Sequence, residues 1–144
     1  MSAQDSLQGR CMCGAVTAVA RPTKDFITAC NCENCRRWGG GTYFAFHVDA
    51  ASAEITGPVK TVSVAPWAER GFCSACGSNV SYRIVAEGPH HGVLKLSAGL
   101  FPEGTGLPLG VEYFTDERPT AFDLSRPHEE MTAEAVRALL SGEP

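Results

Sequence analysis

The stretch Ala29-Cys-Asn-Cys-Glu-Asn-Cys-Arg-Arg-Trp-Gly-Gly-Gly41 places three cysteines within six residues and follows them with two arginines and three glycines. Thiolates crowded on one short segment are ligands that zinc prefers in proteins. Three protein ligands leave one coordination position open, which is the arrangement typical of a catalytic zinc. The stretch therefore predicts an open metal site formed by the candidate catalytic residues Cys30, Cys32 and Cys35.

The other four cysteines form two groups that predict a second, closed metal site. Both groups end on glycine, in Cys11-Met-Cys13-Gly14 and Cys73-Ser-Ala-Cys76-Gly77. Glycine tolerates the positive φ at which a zinc knuckle turns its backbone N–H groups toward the sulfurs. Four thiolates saturate Zn²⁺, so we expect Cys11, Cys13, Cys73 and Cys76 to hold a structural zinc. The chain is then expected to bind two zinc ions.

The residues that follow the three clustered cysteines predict a rim that attracts anions. Arg36 and Arg37 would favour thiolates, and the glycines would let backbone come close to the open metal position. We therefore take Arg36, Arg37 and Gly40 as substrate-binding residues, with His47 as a fourth ligand or an acid–base group. Two alternatives stay open. For the metal, the alternative is a second structural zinc whose fourth ligand is a distant His or Asp. For the arginines, the alternative is that they are ordinary solvated surface residues.

Composition limits the class of protein. With 144 residues, 44% of them apolar and 19% charged, we expect one globular domain over residues 1–144. The net charge of −4 argues against a nucleic-acid partner. No apolar run approaches the ~20 residues that a bilayer span needs. The start, MSAQDSLQGR, lacks the pattern of a secretory signal, so we expect a cytoplasmic protein whose seven cysteines bind metal instead of forming disulfides.

The segments between the cysteine groups predict short strands separated by turns. Alternating apolar residues favour strands over 15–20, 42–48, 60–64, 79–85 and 93–97. Within 42–48, alternation places Phe44, Phe46 and Val48 on one face and Tyr43, Ala45 and His47 on the other. One of the neighbours Tyr43 and Phe44 is then expected to line the pocket while the other enters the core.

One helix is expected near the end of the chain. The segment 132–141 has Thr132 as a candidate N-cap, Gly142 as its stop and an apolar stripe of Val136, Leu139 and Leu140. The pattern as a whole predicts a mainly β fold with this short C-terminal helix.

Three motifs, in this order, resemble the CENP-V/GFA family, which includes the glutathione-dependent formaldehyde-activating enzyme. They are Gly9-Arg-Cys-x-Cys-Gly14, Cys30-x-Cys-x-x-Cys-Arg-Arg37 and Phe72-Cys-x-x-Cys-Gly-Ser78. The resemblance implies a domain core over about residues 9–124. The resemblance implies a β-tent of antiparallel sheets with a four-cysteine structural zinc and a three-cysteine catalytic zinc, divided as above. Two departures bear on the pocket. Trp38-Gly39-Gly40 stands where many members have a small residue and then Ser or Thr-Gly, and Glu112 stands where they often have His.

The resemblance also implies a carbon–sulfur lyase of the S-(hydroxymethyl)glutathione synthase type. The glutathione thiolate would take the open zinc position and attack formaldehyde, with Arg36, Arg37 and Lys95 as candidates for its carboxylates. The expected partners are a small thiol such as glutathione and an aldehyde, without nucleic acid or membrane, and a homo-oligomer is compatible with the sequence. The alternative is a non-catalytic, zinc-stabilised β-tent that binds a protein partner.

Overall fold

The computed structural model describes residues 5–142 and has a mainly β architecture of two sheets. Residues 1–4 and 143–144, which contain the first residues read for a secretory signal and both ends of the predicted domain, lie outside this range. Within it the strands are β1 (Leu7–Arg10), β2 (Thr17–Ala20), β3 (Ile27–Cys30), β4 (Tyr43–Val48), β5 (Glu54–Thr56), β6 (Val59–Ala65), β7 (Ala68–Cys73), β8 (Asn79–Ile84), β9 (Leu94–Ser97) and β10 (Leu109–Tyr113). The α-helices are α1 (Glu33–Gly39) and α2 (Ala133–Leu140), and short 3-10 turns cover Ala98–Leu100, Pro102–Thr105, Thr115–Glu117 and Thr120–Phe122.

The larger sheet has the strand order β10-β3-β4-β9-β8-β7-β6, and β1, β2 and β5 form the smaller one. Paired strands run antiparallel, except that β10 lies parallel to β3. Parallel neighbours need a long connection, and strands β4 to β9 all lie between β3 and β10 in the sequence. The prediction of a mainly β fold of antiparallel sheets with a short C-terminal helix is confirmed, with this one parallel pair added.

The core lies between the two sheets. Its buried cluster consists of Ala18, Ala20, Phe46, Val48, Leu94, Leu96, Ala98 and Phe101. Side chains two residues apart on a strand share a face, so β4 and β9 each direct a pair of apolar side chains toward β2. The rings of Phe46 and Phe101 meet edge to face with centroids 5.0 Å apart. This packing fixes which face of the larger sheet is left for other uses.

The opposite face of the larger sheet carries a row of polar side chains. Cross-strand pairing places His47 of β4 beside Lys95 of β9, Lys95 beside Tyr82 of β8, and Tyr82 beside Arg70 of β7. On β4 and β9 these residues alternate with core residues, so their side chains point away from the core. The row crosses four strands and brings together residues that are far apart in the sequence.

The five strands predicted from alternation are present as β2, β4, β6, β8 and β9, with ends shifted by at most two residues. The alternation did not predict the other five strands or α1. Those elements are short and carry glycine, cysteine or charged residues, so their apolar periodicity is weak. Pairing with neighbouring strands, which depends on tertiary structure, stabilises them.

Phe44 shares a face of β4 with Phe46 and Val48, as alternation predicts, but Phe44 is exposed while its neighbour Tyr43 is buried. The smaller sheet packs against the Phe46 end of β4 and leaves Phe44 uncovered. On the other face, Tyr43 packs with Cys35 of α1. The expectation that one of the two neighbours lines the pocket is met by Tyr43, but Phe44 does not enter the core.

Helix α2 begins as predicted, since the Thr132 hydroxyl oxygen accepts a hydrogen bond from the Ala135 N–H at 3.2 Å. It ends at a Ser141 C-cap, and Gly142 follows with φ of 74°. The stripe of Val136, Leu139 and Leu140 is exposed, so the helix does not bury it against the sheets. None of the described helices has the length and apolar character of a membrane span.

Candidate functional site

The first cysteine cluster joins two turns of the chain. Cys11 and Cys13 follow β1, while Cys73 ends β7 and Cys76 lies in the turn before β8. The four sulfur atoms all lie within 4.8 Å of one another. Gly14 and Gly77 have φ of 84° and 82°, so both turns use the left-handed backbone that the glycines predicted.

The spacing of these sulfurs fits a tetrahedral ion. Zinc–sulfur bonds of ~2.3 Å place the sulfurs of a tetrahedral site about 3.8 Å apart. The Cys11 and Cys13 sulfurs are 3.7 Å apart, and the Cys13 and Cys73 sulfurs are 3.9 Å apart. Cys11 and Cys73 are buried, and the Val16 N–H donates a hydrogen bond to the Cys11 sulfur at 3.2 Å. Four such ligands would complete the coordination of zinc, so this cluster suits a structural role.

The second cluster contains the cysteines of the opening stretch. Cys30 ends β3, Cys32 is the N-cap of α1 and Cys35 lies in the first turn of that helix. The Cys32 sulfur accepts the Cys35 N–H at 3.4 Å, which is a capping bond made by a thiol. The three sulfurs lie within 4.8 Å of one another, so the donor set fits a zinc ion with one position left for another ligand.

Asn31, between the first two of these cysteines, is fully buried and holds the loop behind the cluster. Its amide donates to the Glu112 carboxylate at 2.8 Å, and its side-chain oxygen accepts from the Thr42 hydroxyl at 2.7 Å. Arg118 also donates to Glu112, at 2.7 Å, and these hydrogen bonds hold the pKa of Glu112 below its usual value. Glu112, a departure from the family pattern, therefore belongs to this supporting network and does not line the cavity.

Arg70 is the cationic neighbour of the three-cysteine cluster, and the sequence did not identify it. It is 6% exposed, and both terminal nitrogens of its guanidinium donate to the Cys35 sulfur at 3.6 Å. The guanidinium also lies over the rings of Trp38 and Tyr82, at 4.9 and 5.0 Å from their centroids. No carboxylate among residues 5–142 pairs with it. A buried charge needs compensation, and the Cys35 sulfur in contact with Arg70 could supply it as a thiolate.

A cavity of about 680 Å³ opens over the three cysteines. The polar row of the larger sheet forms its floor, and residues from α1, β10 and the turns around β7 and β8 form its walls. Besides the three cysteines it is lined by Thr28, Glu33, Asn34, Tyr43, Ala45, His47, Trp67, Arg70, Tyr82, Ile84, His90, Val93, Lys95, Tyr113, Phe114 and Glu117. A volume of this size lies in the range of small-molecule sites, roughly 300–1,000 Å³.

The two basic groups His47 and Lys95 on the floor have lowered pKa values. Burial, with the charges of Lys95 and Lys24, lowers the pKa of His47 to about 4, so its imidazole is neutral near pH 7. Burial lowers the pKa of Lys95, although the nearby Cys30 and Cys35 oppose that shift. The Lys95 ammonium lies 4.8 Å from the centre of the Tyr113 ring and 3.5 Å from the Thr28 hydroxyl. Lys95 is thus a cation held between the cluster and the open cavity.

Within the three-cysteine cluster, the pKa values of Cys30 and Cys35 are shifted in opposite directions. The pKa of Cys30 is lowered to about 6, mainly by a hydrogen bond from Cys35. Hydrogen bonding from the Cys32 N–H and the charge of Lys95 lower it further, whereas burial opposes the shift. The bond to Cys30 and burial raise the pKa of Cys35, although Arg70 opposes the shift. The surrounding N–H groups and cations therefore favour thiolate at Cys30.

The remaining predicted substrate residues, Arg36, Arg37 and Gly40, do not line this cavity. The Arg36 side chain donates to the Asn31 carbonyl at 2.9 Å, and Arg37 is an exposed residue paired with Glu33. Gly40 caps α1 with φ of 82°. His47 and Lys95, by contrast, lie on the cavity floor. Arg70 and Tyr82 had no signal in the sequence, because their proximity to the cysteines depends on strand register.

Comparison with known proteins places the chain among related sequences. The family described as glutathione-dependent formaldehyde-activating enzyme (GFA) matches residues 6–117. A protein of Schizosaccharomyces pombe named as an uncharacterised lyase is 24% identical over 131 residues, which cover 90% of this chain and 93% of that protein. The matched region contains both cysteine clusters and every residue that lines the cavity.

Proposed function

The chain belongs to the GFA family, and we propose that it is a zinc-dependent carbon–sulfur lyase acting on the adduct of a small thiol with an aldehyde. The observation that carries the proposal is the contrast between the two clusters. Four sulfurs close the first, whereas the three sulfurs of the second lie at the base of an open cavity. The lyase name of the yeast relative supports the same class of reaction.

Cys30, Cys32 and Cys35 are the residues that would hold the catalytic zinc, and Cys11, Cys13, Cys73 and Cys76 those that would hold the structural one. A bound zinc with an open position lowers the pKa of a thiol and holds its thiolate in place. Arg70 would balance part of the negative charge of the three thiolates, since it already donates to Cys35.

Lys95 is the residue best placed to bind an anionic group of the thiol. It lies within the cavity, and among residues 5–142 no carboxylate pairs with it. A charge-assisted hydrogen bond from its ammonium would orient a carboxylate such as those of glutathione. The predicted roles of Arg36 and Arg37 in binding remain predictions, and they would require contact with parts of the ligand outside the cavity.

His47 is the candidate proton acceptor. Its lowered pKa keeps the imidazole neutral, so one ring nitrogen is free to accept a proton. In the lyase direction, the adduct hydroxyl gives its proton to His47, the C–S bond breaks with its electron pair passing to sulfur, and the C–O bond becomes the aldehyde carbonyl. In the reverse direction, the thiolate attacks the carbonyl carbon and the oxygen takes the proton from His47.

Exchange NMR with carbon-13-labelled formaldehyde and glutathione tests the reaction directly. The zinc-loaded protein is expected to accelerate exchange between free formaldehyde and S-(hydroxymethyl)glutathione above the uncatalysed rate. Cys32→Ser is the inactive comparison, because it removes one ligand of the open cluster. An equal exchange rate with and without the protein would exclude this substrate pair.

Metal lability separates the enzyme from the alternative of a non-catalytic binding module. An open site should release its zinc to a chelator faster than a closed four-cysteine site, because a competing ligand can enter its free position. We expect two phases of release, with one zinc per phase. A single slow phase that releases both ions would favour two structural sites and therefore the binding module.

A further inference from the structure

The exposed aromatic side chains of this protein are concentrated at the mouth of the cavity. Among the described residues, those exposed by more than a third are Phe44, Trp67, Tyr113 and Phe114. Trp67 at 51%, Tyr113 at 37% and Phe114 at 50% all line the cavity, and Phe44 lies on the other face of β4. Exposed apolar side chains gathered around one opening indicate a binding surface.

The aromatic residues face the opening from two sides. Trp67 lies in the turn between β6 and β7, where its carbonyl accepts the Val85 and Ala86 N–H groups at 2.8 and 3.2 Å. Ile84 pairs with Ala68, the neighbour of Trp67, and donates its N–H to the Val93 carbonyl at 2.9 Å, and both Ile84 and Val93 line the cavity. Tyr113 ends β10, and Phe114 follows it directly. The turn of Trp67 is thus held by backbone hydrogen bonds, which gives one wall a fixed apolar surface.

Phe114 is held in a backbone conformation that its side chain does not favour. Its φ of 57° and ψ of 48° are left-handed, which is uncommon for a bulky residue. Half of its side chain is exposed, so burial in a core does not account for the conformation. Such conformations cluster at ligand-binding sites, where the surrounding structure maintains them. The conformation places the aromatic ring at the cavity mouth.

The surface of the cavity is also mainly apolar. Trp67, Phe114, Ile84 and Val93 are among the residues that supply this surface. The adduct of glutathione with formaldehyde is polar and would leave the apolar surface without a matching group. A substrate with an apolar group would complement it.

We infer that the part of the cavity lined by Trp67, Tyr113 and Phe114 is an aromatic subsite, and that the adduct bound here carries an aromatic or comparably large apolar group beside the sulfur. This rests on the proposed function, in which the sulfur of the adduct lies at the three cysteines. The substrate class is the hemithioacetal of a small anionic thiol with an aldehyde that bears such a group. The reaction is unchanged: the C–S bond breaks, sulfur keeps the electron pair, and the hydroxyl proton is removed as the substituted aldehyde leaves.

Calorimetric titration of two stable thioethers into the zinc-loaded protein tests the subsite. S-benzylglutathione and S-methylglutathione share every polar group and differ in the apolar group on sulfur. The benzyl compound is expected to bind at least about fivefold more tightly, from aromatic packing and burial. Trp67→Ala and Phe114→Gly should each reduce the ratio of the two affinities, and the double variant should bring it near one. Glycine at 114 keeps the left-handed backbone accessible.

Phe44→Ala is the matched control, because it removes an exposed aromatic residue that does not line the cavity. It should leave the benzyl preference unchanged. Equal affinities for the two thioethers, or a preference that survives the double variant, would overturn the inference. Formaldehyde exchange measured on the same preparation keeps the two proposals apart. Catalysed exchange without a benzyl preference would support the proposed reaction and contradict the subsite. A benzyl preference that depends on Trp67 and Phe114, without catalysed exchange, would support the subsite and contradict the proposed reaction.

Discussion

The two cysteine clusters offer the same ligand atom in opposite surroundings. Cys11, Cys13, Cys73 and Cys76 join two glycine-containing turns and pack against Val16 and Val80. The three cysteines around α1 lie at the base of a cavity and face Arg70 and Lys95. The number of sulfurs therefore decides whether a bound zinc keeps an open coordination position, and the neighbouring residues decide which ligand that position can bind.

Charge accentuates the contrast. A divalent ion bound by four thiolates would give the first cluster a net charge of about −2, and one bound by three thiolates would give the second about −1. Backbone and side-chain donors such as the Val16 N–H and the Ser78 hydroxyl surround the first cluster. Two cationic side chains accompany the second, so a further anion at its open position would be electrostatically favoured.

The largest expected effect comes from removing one ligand from each cluster. Cys76→Ser should destabilise the whole fold, because a structural zinc contributes on the order of 10 kcal/mol to small metal-dependent domains. Cys32→Ser should leave a folded protein that binds one zinc fewer. Thermal unfolding followed by circular dichroism, with zinc measured by mass spectrometry, makes the comparison. Equal destabilisation by both substitutions would mean that the three-cysteine cluster is structural too.

The next effect concerns Arg70. Arg70→Met removes two hydrogen bonds to the Cys35 sulfur, and bonds to charged groups contribute roughly 1.5–3 kcal/mol each. We expect zinc affinity of the three-cysteine site to fall by at least about tenfold, with partial recovery in Arg70→Lys. The four-cysteine site is the internal control. Cobalt substitution reports both through their thiolate charge-transfer bands, and equal weakening of both sites would point to a general loss of fold stability.

A smaller effect is expected at Lys95, with a neutral thiol as the comparison. Lys95→Met should weaken glutathione binding about ten- to a hundredfold, through loss of a charge-assisted hydrogen bond of roughly 1.5–3 kcal/mol. Binding of 2-mercaptoethanol should change much less, because it has no carboxylate. Titration calorimetry gives both affinities. Similar losses for the two thiols would show that Lys95 acts on the metal site and not on the carboxylate.

Arg36→Ala and Arg37→Ala extend the same titration to the arginines that the sequence singled out. Both side chains have protein partners outside the cavity, so smaller losses than for Lys95→Met are expected. A loss as large as that of Lys95→Met would restore the arginines as principal anion-binding residues.

The smallest effect is a pH dependence at His47. Its folded pKa of about 4 is lower than the value near 6.5 of an unfolded histidine. Between these values the unfolded chain binds more protons, so this group contributes stability that falls as the pH drops from about 6.5 to about 4. His47→Asn should therefore make the fall in melting temperature from pH 7 to pH 5 shallower than in wild type. His128→Asn, at an exposed histidine, is the control, and an identical slope in all three proteins would contradict the assignment.

The two clusters differ in how far the sequence could reveal their geometry. In the four-cysteine cluster, Gly14 and Gly77 mark the turns directly, because a left-handed backbone strongly favours glycine. In the three-cysteine cluster, spacing indicated the ligands, but the positive charge was assigned to the adjacent Arg36 and Arg37. The cation in contact with the sulfur is Arg70, which comes 35 residues after Cys35. Helix α1 directs Cys35 inward and Arg37 toward solvent, and strand pairing brings Arg70 to the cluster.

The amino-acid sequence alone predicts the mainly β class, five of the strands, the start of α2, the family and the division of the cysteines into four and three. These properties depend on short-range patterns: strand alternation, a capping hydroxyl, glycine after cysteine, and ligand spacing. Tertiary structure alone decided the parallel pairing of β10, the exposure of Phe44 and the row His47, Lys95, Tyr82 and Arg70. Strand register explains why these features could not be predicted. A shift of one residue moves every side chain of a strand to the opposite face, and that choice depends on the partner strands and not on the local sequence.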